Sequence, residues 1–242
     1  LVQSPENRQE SMSLSQRWQA VMAQLRQAEQ AVGRAHGSVN LLAVSKLHPA
    51  QAIRELYAAG QTAFGENYVQ EALDKMVALA DLPLQWHLIG PLQSNKTQQV
   101  AANFDWVHSV DRLKIAQRLS AQRPTLLPPL QICLQVNIDD EDSKSGCALA
   151  DLPALAEAVL ALPQLRLRGL MAIPRPGNAG AHAVLAQTAS DLLARLPALA
   201  DQPFDTLSMG MSDDLAEAVA AGSTMVRIGT AIFGARPASK SD

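Results

Sequence analysis

The stretch "LLAVSKLHPA" (41–50) ends an apolar run on Ser45 and Lys46, with Pro49 close behind. Turn signals of this kind bound a short buried strand, yet lysine is among the residues least often buried. Either Lys46 snorkels out of a strand end or that end needs an amine. Five other positions bear on the choice. Asn67 lies in "GENYVQE", Ser212 in "SMGMSDD", and Arg227, Gly229 and Thr230 in "TMVRIGTAIFGAR". Backbone N–H groups at a helix start, with a hydroxyl beside them, bind phosphate, and Gly229 has no side chain to obstruct an oxyanion. A lysine attacks a carbonyl only while its amine is neutral, a form that desolvation and a nearby Arg227 both favour. Lys144 follows Asp139, Asp140, Glu141 and Asp142, whose charges favour its protonated form instead. These residue types point to a phosphorylated ligand whose carbonyl meets Lys46.

Each position also has a plainer reading. Arg227 fits a strand-end salt bridge. Ser212 fits a helix N-cap, and Asp213 and Asp214 suit a bare helix N-terminus but would repel a bound phosphate. Gly229 and Thr230 are therefore the firmer phosphate anchor, and Thr230 can cap the last helix at the same time. Asn67 is a candidate polar lining. His87 fits a core histidine or a ligand contact equally and is not assigned to the site. Met209 and Met211 read as walls.

The elements that must position these residues alternate along the chain. Leu14, Trp18, Val21, Leu25, Ala28 and Val32 share one helical face, which reads as packing against the rest of the domain. Strand-like runs follow at 40–44, 62–65, 85–90, 105–110, 130–138, 167–173, 205–210 and 224–229, with helical stretches between them. Pro49 suits a first helical turn and Gly60 a helix end. Ser94, Asp111 and Ser212 are placed as N-caps, and Gly222 closes "DDLAEAVAA". Strands alternating with helices predict an α/β fold with a parallel sheet under helical cover. The count predicts a single (β/α)8 TIM-type barrel with an additional N-terminal helix, and a doubly wound open sheet is the competing architecture. In such barrels chemistry gathers at the C-terminal strand ends, with phosphate sites after strands seven and eight. The candidate residues fall there.

A chain of 242 residues, 48% of them hydrophobic, suffices for one barrel-sized core. A formal net charge of −3 gives no general electrostatic reason to bind nucleic acid or an anionic membrane. The apolar runs fall short of the roughly 20 residues that cross a bilayer. Cys133 and Cys147 form no CxxC pair or metal spacing, and Cys133 reads as a small buried hydrophobe. "LVQSPENRQE" shows no signal-peptide pattern. The expectation is a soluble, cytoplasmic protein without a metal site. Its predicted divisions are a flexible leader over 1–12, a barrel over 13–236 and a tail over 237–242.

The strings "LLAVSK", "FGENYVQEALDKM", "WHLIGPLQSNK", "DDEDSKSGC", "RGLMAIP" and "LSMGMSDDLAEAVAAGSTMVRIGTAIFGAR" together resemble the pyridoxal phosphate homeostasis proteins, the YggS/PROSC family. The resemblance runs in order from about residue 14 to Arg236. It implies a fold like the barrel domain of alanine racemase, and pyridoxal 5′-phosphate (PLP) carried on the lysine that ends strand one, here Lys46. "SKLHP" departs from the "SKTKP" of many members but keeps the lysine. The family's phosphate region resembles "MGMS" and "RIGT", hence Ser212, Gly229 and Thr230, and Arg227 would face the pyridine nitrogen. An arginine there leaves that nitrogen unprotonated, so the ring is a weaker electron sink than with an aspartate.

The implied function is a PLP-binding protein that holds the cofactor as a Schiff base on Lys46. It would contribute to vitamin B6 and amino-acid homeostasis, with PLP-requiring apoenzymes as recipients, and no catalytic residue is assigned. The alternative is a PLP-dependent, racemase-like enzyme. Such an enzyme needs a second acid/base group across the cofactor, which in alanine racemase comes from a partner subunit, and it has a further domain. Here the sequence ends at Asp242 soon after the last unit, and Tyr57 and Tyr68 both fall early. A binding role and a monomer are expected on that ground. A Schiff-base aldolase is a third reading, which the motif strings count against.

Overall fold

The structure, a computed structural model, describes residues 12–141, 145–178 and 180–235. Residues 1–11 of the expected leader, Lys144 and the expected tail lie outside the described residues. The elements run α1 (Leu14–Ala31), β1 (Asn40–Val44), α2 (Ala50–Ala59), β2 (Ala63–Glu66), α3 (Val69–Ala78) and β3 (Gln85–Leu88). They continue with α4 (Thr97–Asn103), β4 (Trp106–Val110), α5 (Leu113–Gln122), β5 (Leu130–Gln135), α6 (Leu152–Leu160) and β6 (Leu165–Met171). The last are α7 (Ala181–Arg195), β7 (Thr206–Ser208), α8 (Leu215–Ala220), β8 (Met225–Ile228) and α9 (Thr230–Phe233). The eight strands pair in chain order, all parallel, and β8 closes onto β1 from Asn40↔Met225 to Ala43↔Ile228. The fold is the expected (β/α)8 barrel with an additional N-terminal helix, not the open sheet.

Side-chain alternation along the strands separates two cores. On β1, Leu41 and Ala43 join the large cluster beneath the helices, whereas Leu42 and Val44 pack with Ile89 and Met225 inside the barrel. Trp106, Cys133 and Met171 form a second small apolar group. Burial on both faces is why these strands read as near-continuous apolar runs. The register slips between Ile132↔Leu167 and Cys133↔Gly169, leaving Arg168 as the extra residue of a β-bulge. Arg168 lays its guanidinium 4.7 Å over the Trp106 ring and pairs with Asp205 at 2.8 Å.

α1 begins at a capping box made by Ser13 and Gln16. It packs on α2, α8 and α9, with Arg17 Nε donating to the Ile232 carbonyl (2.7 Å) and Trp18 Nε1 to Gln61 Oε1 (2.8 Å). α9 is a single turn, and α1 packs against it beside α2 and α8. Val21, Leu25 and Ala28 are buried, and Leu14 and Trp18 pack against the core. Val32 departs from the expected face, standing 44% exposed at the C-cap.

Helix starts differ more from expectation than helix ends. Gly60 closes α2 with a left-handed φ of 115°, and Gly222 follows α8 with φ 107°. Pro49 stands at the N-cap of α2, one residue before its first turn. Ser94 opens a 3-10 turn (Ser94–Lys96) ahead of α4. Arg112, not Asp111, occupies the cap of α5, and Asp111 Oδ2 accepts the Gly146 N–H at 3.2 Å. Asp214, not Ser212, precedes α8. The same polar residues serve caps and loop ties, so residue type alone does not separate the two uses.

Candidate functional site

Lys46 lies just past the end of β1 on a backbone held from below. The Ser45 N–H continues the barrel ladder to the Gly65 carbonyl at 3.0 Å. The Ser45 carbonyl accepts from Lys75 Nζ (2.8 Å), and its hydroxyl donates to Glu66 Oε1 (2.5 Å). Lys75 Nζ also contacts Glu66 Oε1 and Glu71 Oε1, both at 2.7 Å. On the far side of Lys46, Leu47 takes the left-handed φ of 63°, and its N–H donates to Glu71 Oε1 at 2.6 Å. A non-glycine residue in that region costs of order 1–3 kcal/mol and persists only where its surroundings over-determine it. The acids of β2 and α3, joined by Lys75, do so here and set where Lys46 begins. Burial pushes the Glu66 carboxyl above its ordinary pKa, against the opposing pull of Lys75 and Ser45.

Lys46, Asn67, Ser212, Arg227, Gly229 and Thr230 all line one cavity of about 450 Å³ at the C-terminal strand ends. Val44, Ile89, Ile173 and Met211 supply apolar wall, and Asp213 adds a carboxylate. Met209 lies instead in the helix-side core. Arg227 is buried, donating from one terminal nitrogen to Ser208 Oγ and from the other to the Ala172 carbonyl, both at 2.8 Å. Its expected alternative, a strand-end salt bridge, is not formed among the described residues. Burial draws its pKa down to about 10. A Cβ on Gly229 would come within 3.2 Å of the Val44 carbonyl oxygen, so a glycine lets the β8 and β1 ends approach. Thr230 opens α9, where the first backbone N–H groups have no partner within the helix. Asn67 Oδ1 is buried without a hydrogen-bond partner among the described residues. Facing the cavity, that acceptor is available to a donor bound there.

Of the two acids after Ser212, only Asp213 reaches the cavity wall. Asp214 Oδ2 meets His182 Nε2 at 2.8 Å, and its Oδ1 accepts the Met211 N–H at 2.6 Å. Burial opposes ionisation of Asp214, but those partners and the Arg227 charge hold its carboxyl below the ordinary value. Asn137 lies past the end of β5 and closes a loop on Glu141 at 2.8 Å. Cys133 and Cys147 are both buried free thiols, pushed by burial up to about 12 and about 11. Among the described residues no group of three or more His, Cys, Asp or Glu is placed to hold a metal ion. None of their helices is long and apolar enough to cross a membrane.

His87 is a core histidine. Its ring stacks on Trp106 at 5.2 Å and bonds to His108 at 2.8 Å. Burial lowers its pKa to about 3, and burial, then His87 and Arg227, lowers that of His108 well below 6.5. An unfolded chain takes up protons on both residues near pH 6.5 while the folded chain does not. Stability is therefore full above that pH and is lost as pH falls from about 6.5 toward about 3. Urea midpoints measured across that range should decline for the native chain and decline less for His87→Phe.

Residues 17–237 match the family described as alanine racemase, N-terminal domain. The chain is 63% identical over 218 residues to the pyridoxal phosphate homeostasis protein of Pseudomonas aeruginosa, covering 89% of this chain and 93% of that one. This chain belongs to the pyridoxal phosphate homeostasis protein family. The family member of Escherichia coli K12 is 56% identical over 216 residues, covering 86% of this chain and 90% of that one. Among solved structures, PipY of Synechococcus elongatus with PLP bound is 41% identical, with a TM-score of 0.81 over 92% of this chain and all of that one. Alanine racemase from Corynebacterium glutamicum, at 16% identity and a TM-score of 0.66, shares the fold over 93% of this chain and 63% of its own.

Proposed function

We propose that this chain binds PLP in the cavity at the C-terminal strand ends, tethers it as a Schiff base on Lys46, and serves PLP and amino-acid homeostasis. The observation that carries the reading is the convergence of a lysine, a buried arginine and a Gly-Thr helix start on one cavity. The 41% identical PipY, solved with PLP bound, supports the choice of ligand. When bound, PLP supplies an aldehyde for an amine and a ring that can withdraw electrons.

The chain's own residues do the rest. Lys46 provides the amine, from a backbone pinned by Lys75 and Glu71. Gly229, Thr230 and Ser212 take the phosphate. Asn67 Oδ1 offers its empty acceptor to a hydroxyl donor. Arg227 presents donor N–H groups to the ring nitrogen and does not protonate it as an acid would, so the site holds the ring while drawing electrons through it weakly. We place the protein in the cytoplasm, where its two free thiols are at home. There it acts as a monomer that passes PLP to apoenzymes.

Asp213 on the cavity wall favours a second reading, a racemase-like enzyme in which that carboxylate moves a proton. One experiment separates the two. The purified chain, loaded with PLP, should show a visible absorption band that Lys46→Ala lacks, and D- and L-amino acids should not interconvert on chiral chromatography. A band of equal strength in Lys46→Ala would overturn the tether. Interconversion that disappears in Asp213→Asn would replace the binding role with the enzyme.

A further inference from the structure

A TIM barrel interior is ordinarily filled by branched aliphatic side chains, yet a file of buried polar groups crosses this one. Arg227 donates to Ser208 Oγ at 2.8 Å. Ser208 Oγ lies 2.8 Å from His108 Nδ1, and His108 Nε2 lies 2.8 Å from His87 Nδ1. His87 Nε2 lies 3.0 Å from Oε1 of Gln85, which is exposed at the opposite end of the barrel.

The direction of the chain follows from its first member. A guanidinium only donates, so Ser208 Oγ accepts from Arg227 and its own proton goes to His108 Nδ1. A neutral imidazole that accepts at Nδ1 carries its proton on Nε2. His108 therefore donates to His87, and His87 donates to Gln85. The reverse direction would leave the Ser208 hydroxyl proton without an acceptor where that residue is fully buried, a penalty of about 1–3 kcal/mol. The His87 ring is clamped in turn by Trp106, over which Arg168 lies. Among the described residues no carboxylate hydrogen-bonds Arg227. Asp214 acts on it only through space, and the neutral chain leaves its charge whole.

We propose that Ser208, His108 and His87 are positioning residues for Arg227, presenting a fixed acceptor that orients the guanidinium and sets how strongly it engages the ring nitrogen of the cofactor. The proposal rests on the reading of the cavity as a PLP site with Arg227 at that nitrogen. Hydrogen bonds in such a file polarise one another, so the effect should fade with distance from Arg227.

The test compares PLP retention by equilibrium dialysis and the position of the visible band across one series. Ser208→Ala should weaken retention roughly tenfold and move the band, His108→Gln should do so less, and His87→Gln least. Ser208→Thr, which keeps the hydroxyl, should restore both. Circular dichroism identifies any member that does not fold, and the remaining members then carry the comparison. Native retention and an unmoved band in the folded variants would overturn the proposal and leave a chain that only fills the core. A native chain that takes no PLP would overturn the cofactor reading and this proposal together, whereas native binding with unaffected variants removes this proposal alone.

Discussion

A Gly169→Ala chain is expected to lose its barrel. An added Cβ would run into the Thr206 carbonyl oxygen and stand 2.6 Å from its carbonyl carbon. Both are backbone atoms of the neighbouring strand, so no side chain can swing aside. Gly169 also pairs with Thr206 at the start of the β6–β7 ladder, directly after the Arg168 bulge. Relief would require moving β7, which carries Ser208, away from β6. The penalty should exceed the roughly 1–3 kcal/mol of ordinary overpacking. Soluble yield, far-ultraviolet circular dichroism and the urea midpoint would record it. A folded variant within about 1 kcal/mol of the native chain would show that the two strands do not approach this closely.

Lys75→Met should destabilise the chain by about 3–5 kcal/mol, the usual result of stripping one partner from a buried ion pair. Glu66 is fully buried, and its Oε2 has no hydrogen-bond partner among the described residues. Its Oε1 is shared by Lys75 and Ser45. Without the ammonium the carboxyl must take up a proton or remain an uncompensated buried charge. Adding Glu66→Gln should recover a large part of the loss, because the double variant buries no charge there. Urea denaturation of the native chain, both single variants and the double variant measures the coupling. PLP retention should fall with Lys75→Met as well, since Ser45 and Leu47 would lose the network that holds the backbone beside Lys46. A single variant as stable as the native chain would contradict the role given to Lys75.

Lys46 and Arg227 are legible in the sequence because a charged residue at the end of an apolar run is costly without a purpose, and barrel strand ends are where purposes collect. The alternation of runs reveals the barrel for a related physical reason: strands buried on both faces stay largely apolar, here interrupted by His87, His108, Ser208 and Arg227. Other features depend on contacts across tens of residues. Ser212 and Asp214 are equally good caps on paper, but the structure puts Asp214 at the N-cap position with no side-chain cap, its carboxylate spent on His182 and the Met211 N–H instead. Lys75 looks like an ordinary residue of an amphipathic helix until the fold sets it beneath Ser45 and Glu66. The histidine pair left a faint signal. His87 and His108 occupy neighbouring strands of a predicted parallel sheet, each two residues beyond another bulky or polar group, Gln85 and Trp106. Alternation alone would have aimed both rings inward, but the Ser208 link to Arg227 needs the closed barrel.

The central claim is that Lys46 carries the cofactor, and one measurement addresses it most directly. The chain is incubated with PLP, reduced with borohydride to fix any Schiff base, digested and read by mass spectrometry. The account predicts a phosphopyridoxyl group on the peptide that contains Lys46, at close to one per chain. A label concentrated on another lysine, or no label on a chain that retains PLP, would contradict it.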